Sequence, residues 1–283
     1  MKILIYGAGV IGCIYSAKLK NAGFDITLLS RGKKYDNLKK YGIILNNVLT
    51  GKRIVSNIKL TRNLNPKDFY NLIIITVRLD QLESVKAYLK QNKVSNAIMF
   101  MLNNPEKLQE LVHEFPDKKI ILGFPGVGGI YQNNQIDYVQ IKEQKTTIGT
   151  IDGNITNLVT DIKSHLSKAG FTVDISKNMQ AWLKIHAVFI ACVSAAIIKE
   201  NGDSVQLGKN RESVQIMVKS IKEGFAACKN MGIRITPANL KIIFMIMPEW
   251  FCVWYWQNAL RGKTGTLAIA PHANAAKKEM RLL

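Results

Sequence analysis

The chain has 283 residues, of which 47% are hydrophobic and 21% charged, so it has the length for two domains and the composition of a folded, soluble protein. Its four cysteines lie far apart, and no His/Cys cluster has metal-ligand spacing; this argues against a disulfide framework and a metal centre and favours reduced thiols in the cytoplasm. The net charge of +19 comes from basic residues spread along the chain. Such a field favours anionic small molecules and could attract nucleic acid non-specifically, but a compositional bias of the source is the preferred explanation, and no specific nucleic-acid partner is expected. The start of the chain lacks the charged region and cleavage site of a signal peptide.

The first dozen residues carry the most informative pattern. A short apolar run over 3–6 leads into glycines spaced G-x-G-x-x-G, and an amphipathic stretch over 11–22 follows. A strand, a glycine turn and a helix in this order bind the pyrophosphate of a dinucleotide, because the glycines let the phosphates approach the helix N-terminus. Such glycines also mark plain turns, but the flanking strand and helix favour a dinucleotide site. The predicted contacts are Gly7, Ala8, Gly9, Val10, Ile11 and Gly12.

The end of the second predicted strand, over 25–30, indicates which dinucleotide is bound. NAD sites usually carry an acid at this position, where it takes the ribose 2′-OH, but here Ser30 and Arg31 stand there. A guanidinium matches a 2′-phosphate with a bidentate fork. We therefore predict NADP(H) as the cofactor, with Ser30 and Arg31 as contacts; a solvated basic loop is the alternative.

Two later apolar runs, over 72–77 and 97–102, are typical of central parallel strands. Arg78 and Gln81 follow the first run, and Asn103 follows the second. Open α/β sheets bind ligands at the carboxyl ends of their strands, so these side chains are further candidates for the site.

Residues 126–173 have weaker sequence patterns than the preceding strands. The glycine-rich passage 126–129 lacks a strand-to-helix context and is interpreted as a turn or active-site loop. Residues 130–150 have the alternation of antiparallel strands, and a helix over 154–168 and a strand at 171–173 complete the domain.

From about Asn178 long helical patterns dominate. The sequence therefore predicts an α/β fold: an N-terminal Rossmann-type, doubly wound parallel sheet with a second, all-helical domain. Residues 1–177 would bind the dinucleotide, and residues 178–283 would serve substrate binding and dimerisation. The most apolar segment, 242–256, is short for a bilayer span and is interrupted by a proline; a buried helix or a subunit contact, as in a homodimer, is expected rather than a membrane.

Taken together, these motifs resemble the ketopantoate reductase (2-dehydropantoate 2-reductase) family. The similarity covers most of the chain and includes G-A-G-x-I-G at the start, S-R-G after the second strand and, at the domain junction, W-x-K. It also includes T-V-R-x-x-Q, where the family usually has T-V-K-x-x-Q, and L-x-N, where the family usually reads Q-N-G. The resemblance implies NADPH-dependent reduction of a 2-oxo acid or related small carbonyl compound. It also implies that Lys184 donates a proton to the forming alkoxide, while Arg78, Gln81 and Asn103 line the nicotinamide side.

Departures from the family pattern affect the substrate. The family's two asparagines, four and eight residues after the lysine, are replaced by Val188 and Cys192, and its R-x-T-E-I-D segment is not found. His272 and Glu279 stand in the late region instead, and His272 is either a substitute acid–base group or structural. We therefore expect a substrate other than ketopantoate. The alternative function is a non-catalytic NADP-binding sensor or interaction protein.

Overall fold

The computed structural model describes residues 1–102, 108–141 and 143–279, with side chains up to residue 274. The described residues form two compact units, one of residues 1–102 and 108–179 and one of residues 180–279. The assignment of dinucleotide binding to 1–177 and of substrate binding to 178–283 stays a proposal.

The first unit contains two sheets. Its strands are β1 (Lys2–Tyr6), β2 (Asp25–Leu29), β3 (Ile43–Asn47), β4 (Arg53–Ser56), β5 (Lys59–Thr61), β6 (Leu72–Ile75), β7 (Ala97–Met101), β8 (Lys119–Phe124), β9 (Val127–Gln132), β10 (Gln135–Gln140), β11 (Thr146–Gly149) and β12 (Val173–Ile175). Its helices are α1 (Val10–Asn21), α2 (Gly32–Tyr41), α3 (Leu82–Gln91), α4 (Leu108–Glu114) and α5 (Asn157–Lys168), with a 3₁₀ turn at Leu79–Gln81.

The larger sheet has eight strands in the order β12-β11-β8-β7-β6-β1-β2-β5. Every neighbouring pair is parallel except β11 with β8. Strand β1 pairs with β2 on one side and with β6 on the other, so the chain reverses its winding direction at β1. Such a switch point opens a ligand crevice at the carboxyl ends of β1 and β6. The predicted Rossmann-type, doubly wound sheet is confirmed.

The smaller sheet has the order β4-β3-β10-β9. Strands β9 and β10 pair antiparallel, as expected for residues 130–150. The interpretation of 126–129 as a turn or loop is wrong for residues 127–129, because they are the first residues of β9. A Cβ at Gly129 would lie 2.6 Å from the Asp137 carbonyl oxygen, so glycine serves close packing against β10 here rather than a turn.

Helix α1 is held against the core of this unit by Tyr15. The Tyr15 ring stacks on Phe171 with centroids 4.2 Å apart, and its hydroxyl lies 2.6 Å from Thr146 Oγ1. Burial raises the pKa of Tyr15, so the phenol stays protonated. These contacts fix the position of α1, and with it the glycine turn that precedes α1.

In the described residues of the second unit the regular elements are all helices, as predicted. It consists of α6 (Met179–Lys199), α7 (Ser204–Lys209), α8 (Arg211–Asn230), α9 (Ala238–Lys241), a π-helical turn (Ile242–Ile246), α10 (Glu249–Arg261), a second π-helical turn (Gly265–Ile269) and α11 (Ala270–Glu279). Helix α6 is the one described helix with the length and mean hydropathy, 2.0, of a membrane span. Core helices of soluble proteins meet the same criteria, and 56% of its most apolar window is buried.

Candidate functional site

The glycine turn after β1 is shaped by contact between two backbone segments. Gly7 has a φ of +119°, which side-chain-bearing residues rarely adopt. A Cβ on Gly12 would lie 1.9 Å from the Gly7 carbonyl oxygen, so only glycine allows α1 to begin this close to the strand end. Gly9 differs, because a Cβ there would meet no atom within 4 Å. The turn therefore has open space beside Gly9 and a tight backbone contact between Gly7 and Gly12.

Thr76, directly after β6, supports the same turn from the neighbouring strand. Its hydroxyl donates to the Gly7 carbonyl at 2.9 Å and lies 3.3 Å from the Tyr6 carbonyl. Thr76 opens the T-V-R-x-x-Q motif, but the sequence alone suggests no role for it. The one available sign in the sequence was a threonine at the end of an apolar run. Its hydrogen bond to Gly7 could not be predicted without knowing that β1 and β6 are adjacent.

The N-terminus of α1 faces this turn without a side-chain cap. The first α-helical hydrogen bond runs from Cys13 N–H to the Gly9 carbonyl, so the N–H groups of Val10, Ile11 and Gly12 lie before the helical ladder. Exposed N–H groups and the positive end of the helix dipole attract phosphate. Together with the space at Gly9, they fit the pyrophosphate of a dinucleotide.

Arg31 lies after β2 and has several partners. Its Nη2 donates to the Tyr6 hydroxyl at 3.0 Å, and its Nε donates to the Arg62 carbonyl at 3.2 Å. The guanidinium carbon lies 5.1 Å from the centre of the Tyr88 ring. The side chain is exposed, so the guanidinium, although hydrogen-bonded to Tyr6 and Arg62, is open to solvent at the carboxyl end of the sheet.

The other predicted cofactor residues have different surroundings. The Ser30 hydroxyl is buried and has no hydrogen-bond partner among the described residues. Arg78 forms a bidentate pair with Asp80, at 2.9 and 2.7 Å, and its backbone N–H donates to Gln81 Oε1 at 3.4 Å. Asn103 lies outside the described residues. Arg78 and Gln81 are thus brought together in one 3₁₀ turn, with much of the charge of Arg78 neutralised.

In the helical unit, Lys184 lies in the second turn of α6 with a half-buried side chain. Burial raises the pKa of the Cys228 thiol on α8, and the charge of Lys184 opposes this rise. One turn further, Val188 packs closely on α8: a Cβ at Gly224 would lie 2.6 Å from Val188 Cγ1. The residue that replaces the first family asparagine is therefore packed at the edge of the helical core.

His186 points into the interior of the same unit. Its ring stacks on Trp182, with centroids 5.2 Å apart, and lies 6.1 Å from the ring of His272. Burial lowers the pKa of His186 to about 3 and that of His272 to about 4. Both imidazoles are neutral at physiological pH, which fits a structural role better than general acid catalysis.

Comparison with known proteins gives the same architecture. Among solved structures, the 2-dehydropantoate 2-reductase from Methylococcus capsulatus matches with a TM-score of 0.68 and 17% identity, over 100% of this chain and 97% of that chain. A D-mandelate dehydrogenase in a ternary structure with NADH and anilino(oxo)acetate matches with a TM-score of 0.69 and 15% identity, over 99% of each chain. At these identities, the likeness shows the fold.

Sequence relatives identify the family. A 2-dehydropantoate 2-reductase of Pyrococcus horikoshii is 27% identical over 264 residues, which is 88% of this chain and 80% of that protein. One of Archaeoglobus fulgidus is 24% identical over 246 residues, 84% of this chain and 77% of that protein. The family model described as ketopantoate reductase PanE/ApbA matches residues 3–153, more than half of the 283 residues. The chain therefore belongs to the ketopantoate reductase family of oxidoreductases, which act on a CH–OH or C=O group.

Proposed function

We propose that the protein is an NADPH-dependent reductase of a 2-oxo acid or related carbonyl compound, and that its substrate is not ketopantoate. The observation that carries the cofactor part is the guanidinium of Arg31, held at the carboxyl end of β2 and still open to solvent. A guanidinium has five N–H donors, and Arg31 uses two of them in its hydrogen bonds to Arg62 and Tyr6. The other donors suit a 2′-phosphate.

The preference for NADPH rests on Arg31 and the lack of an acid beside it. The D-mandelate dehydrogenase described above carries NADH, so the fold by itself does not select NADPH. In this chain the residues after Arg31 are Gly32, Lys33 and Lys34. This local charge favours the cofactor with the additional phosphate.

The cofactor proposal is tested by the Arg31→Ala variant. Losing a charge-assisted pair costs roughly 1.5–3 kcal/mol, so NADPH binding should weaken by about 10–150-fold while NADH binding hardly changes. Dissociation constants for both cofactors are measured by fluorescence titration. Arg53→Ala, at an exposed arginine of β4, is the matched control. Equal weakening of NADPH and NADH would contradict the proposal.

A nicotinamide, when bound, supplies the hydride for carbonyl reduction. The chain's part is to hold the cofactor and to supply a proton to the carbonyl oxygen. We assign the proton to the ammonium of Lys184, which would stabilise negative charge on that oxygen as it develops. Gly7, Ala8, Gly9, Val10, Ile11 and Gly12 would hold the pyrophosphate, Ser30 and Arg31 the adenosine end, and Arg78, Gln81 and Asn103 the nicotinamide side.

The substrate proposal follows from the helix face after Lys184. A hydroxylated 2-oxo acid must exchange water for hydrogen bonds in the site, and each buried polar group left unpaired costs about 1–3 kcal/mol. Val188 and Cys192 offer hydrocarbon and thiol where the family pattern has two amides. Ala191 and Ala195, on a neighbouring strip of the helix, are exposed and equally apolar. A carbonyl compound with a hydrocarbon side chain suits such a surface better.

Steady-state kinetics test the substrate. Ketopantoate is compared with bulkier, more apolar 2-oxo acids and ketones, with NADPH as reductant. We expect kcat/KM for ketopantoate to lie below that for an apolar 2-oxo acid by at least about 30-fold, which corresponds to two unpaired groups at the lower end of their cost. Ketopantoate turnover above about 10⁴ M⁻¹s⁻¹, an ordinary enzyme's efficiency, would contradict the proposal. Cofactor binding without turnover of any carbonyl would favour the sensor.

We also infer that two copies of the chain associate through an exposed apolar face of the helical unit, in the cytoplasm. Trp250 and Trp254 lie one turn apart on α10 and are 65% and 57% exposed, with Phe251 in ring contact with both. Large exposed aromatic side chains close together are typical of protein interfaces. Light scattering of the wild type and of Trp254→Lys tests this: a dimer that becomes a monomer supports it, and a wild-type monomer contradicts it.

A further inference from the structure

Tyr6 and Tyr88 approach Arg31 from two different elements of the first unit. Tyr6 is the last residue of β1, immediately before the glycine turn, and Tyr88 lies on α3. We propose that these two tyrosines position the Arg31 guanidinium for the 2′-phosphate of NADPH and thereby set the cofactor preference. This inference rests on the proposed cofactor and names the residues on which its selectivity depends.

Tyr6 provides a hydrogen-bond acceptor that cannot move away. Its side chain is 3% exposed, and its hydroxyl oxygen accepts from Arg31 Nη2 at 3.0 Å. Burial raises the pKa of Tyr6, with the nearby Arg31 opposing the rise, so the group stays a neutral phenol. Because Tyr6 belongs to the central strand that leads into Gly7, the position of the guanidinium is tied to that of the pyrophosphate turn.

Tyr88 contacts the guanidinium differently, through its ring. The ring centre lies 5.1 Å from the guanidinium carbon, within the range of a cation–π contact. The Arg62 carbonyl adds a third contact by accepting from Nε at 3.2 Å. Two in-plane hydrogen bonds and a ring contact together restrict the rotation of a side chain that would otherwise sample many rotamers.

The restricted rotation of the Arg31 side chain should favour the binding of NADPH and leave the binding of NADH unchanged. Arg31 keeps three of its five N–H donors, since two are used by Tyr6 and Arg62. A 2′-phosphate that meets these donors already in place loses less conformational entropy on binding. NADH has a hydroxyl at this position and forms no charge-assisted fork, so loosening Arg31 should affect NADPH selectively.

The experiment measures NADPH and NADH dissociation constants for Tyr6→Phe, Tyr88→Leu and Tyr88→Phe, alone and in the Arg31→Ala background. Adenosine 2′,5′-bisphosphate and AMP are titrated as well, because they isolate the adenosine end without any turnover. We expect Tyr6→Phe and Tyr88→Leu each to weaken NADPH and the bisphosphate by roughly 3–10-fold, with NADH and AMP changed by less than about twofold. Tyr88→Phe keeps the ring and should keep the wild-type preference.

Each alternative gives a different pattern. If the tyrosines only maintain the fold, NADPH and NADH weaken equally and the melting temperature falls; Tyr70→Phe, a buried tyrosine of the same unit, calibrates that fall. If the tyrosine substitutions still weaken NADPH in the Arg31→Ala background, they do not act through Arg31, and the inference is wrong. If Arg31→Ala itself leaves the preference for NADPH unchanged, the proposed cofactor preference is wrong. If Arg31→Ala removes that preference but the tyrosine substitutions do not change it, only the positioning role of Tyr6 and Tyr88 is wrong.

Discussion

Gly12 and Gly9 belong to one motif but stand in opposite surroundings, and their alanine variants should differ accordingly. The Cβ of Gly12→Ala would meet the Gly7 carbonyl and Thr76 Oγ1, at 1.9 and 2.7 Å, so the backbone must shift. We expect a loss of roughly 1–3 kcal/mol or more in the free energy of unfolding.

Gly9→Ala should leave folding unchanged, because its Cβ meets no atom within 4 Å and its φ of −71° suits any residue. The methyl group would occupy the space proposed for the pyrophosphate, so binding of NADPH and of NADH should both weaken by roughly 10–100-fold. Urea unfolding and cofactor titration of both variants separate the two effects. A Gly9→Ala variant that binds normally would contradict the pyrophosphate site.

Lys184 is the residue on which the proposed chemistry depends. If its ammonium supplies the proton, Lys184→Ala should lower kcat by about 10²–10⁴-fold on a verified substrate, with cofactor affinity nearly unchanged. Lys199→Ala, at the exposed C-terminal end of the same helix, is the matched control and should keep full activity. An unchanged rate in Lys184→Ala would show that Lys184 does not supply the proton.

At this scale, sequence reasoning identifies the residues whose signal is local. The glycines and Arg31 are proposed from the sequence because a turn and a strand end are defined by adjacent residues. The partners of Arg31 were missed, since Tyr6 and Arg62 lie 25 and 31 positions away and become neighbours only when β1, β2 and β5 pair. The Arg78–Asp80 pair is different: its spacing of two could have suggested that Arg78 is neutralised locally.

At the scale of elements, the contact between α6 and α8 predicts that Gly224→Ala destabilises the protein, although alanine normally stabilises a helix relative to glycine. Alanine at a helical glycine normally stabilises by about 1 kcal/mol, but in Gly224→Ala the new methyl would lie 2.6 Å from Val188 Cγ1. Valine is stiff about χ1, so overpacking should make Gly224→Ala destabilising by roughly 1–2 kcal/mol.

Removing the obstructing side chain should restore the normal preference. In a Val188→Ala background, Gly224→Ala should stabilise the protein by up to about 1 kcal/mol, and a double-mutant cycle by urea unfolding measures this coupling. Additive effects would mean that Val188 does not pack on α8.

The central strands of the larger sheet, β1, β2, β6 and β7, were the most predictable elements, because a buried parallel strand is a continuous apolar run with few competing interpretations. The glycine-rich strand β9 was not, since glycine is more often a sign of a turn, and only the proximity of Asp137 explains Gly129. The helical unit was predicted as a class from its periodicity. Its two π-helical turns have no signal in a 3.6-residue pattern.

Over the whole molecule, the two units can be observed separately. The four tryptophans, at positions 182, 250, 254 and 256, all lie in the helical unit, so intrinsic tryptophan fluorescence reports the unfolding of that unit. The N-terminal unit contains the glycine turn and Arg31, the residues proposed to bind the cofactor, so cofactor titration is the measurement for that unit. A variant can thus be assigned to one unit by the signal that it changes.

This separation makes acid stability a test of the buried His186. Burial lowers the pKa of folded His186 to about 3, while in the unfolded chain a histidine has a pKa of about 6.5. Between these two pH values the unfolded state binds one more proton than the folded state. The free energy of unfolding therefore falls by about 1.4 kcal/mol for each pH unit below about 6.5. From pH 7 to pH 5 the helical unit should therefore lose about 2 kcal/mol in tryptophan-detected urea unfolding from this group alone. His186→Leu should remove that part of the slope, whereas His113→Gln, at an exposed histidine of α4, should retain it. An unchanged slope in His186→Leu would mean that this imidazole is protonated in the folded protein, and the stacked, neutral arrangement with Trp182 would be wrong.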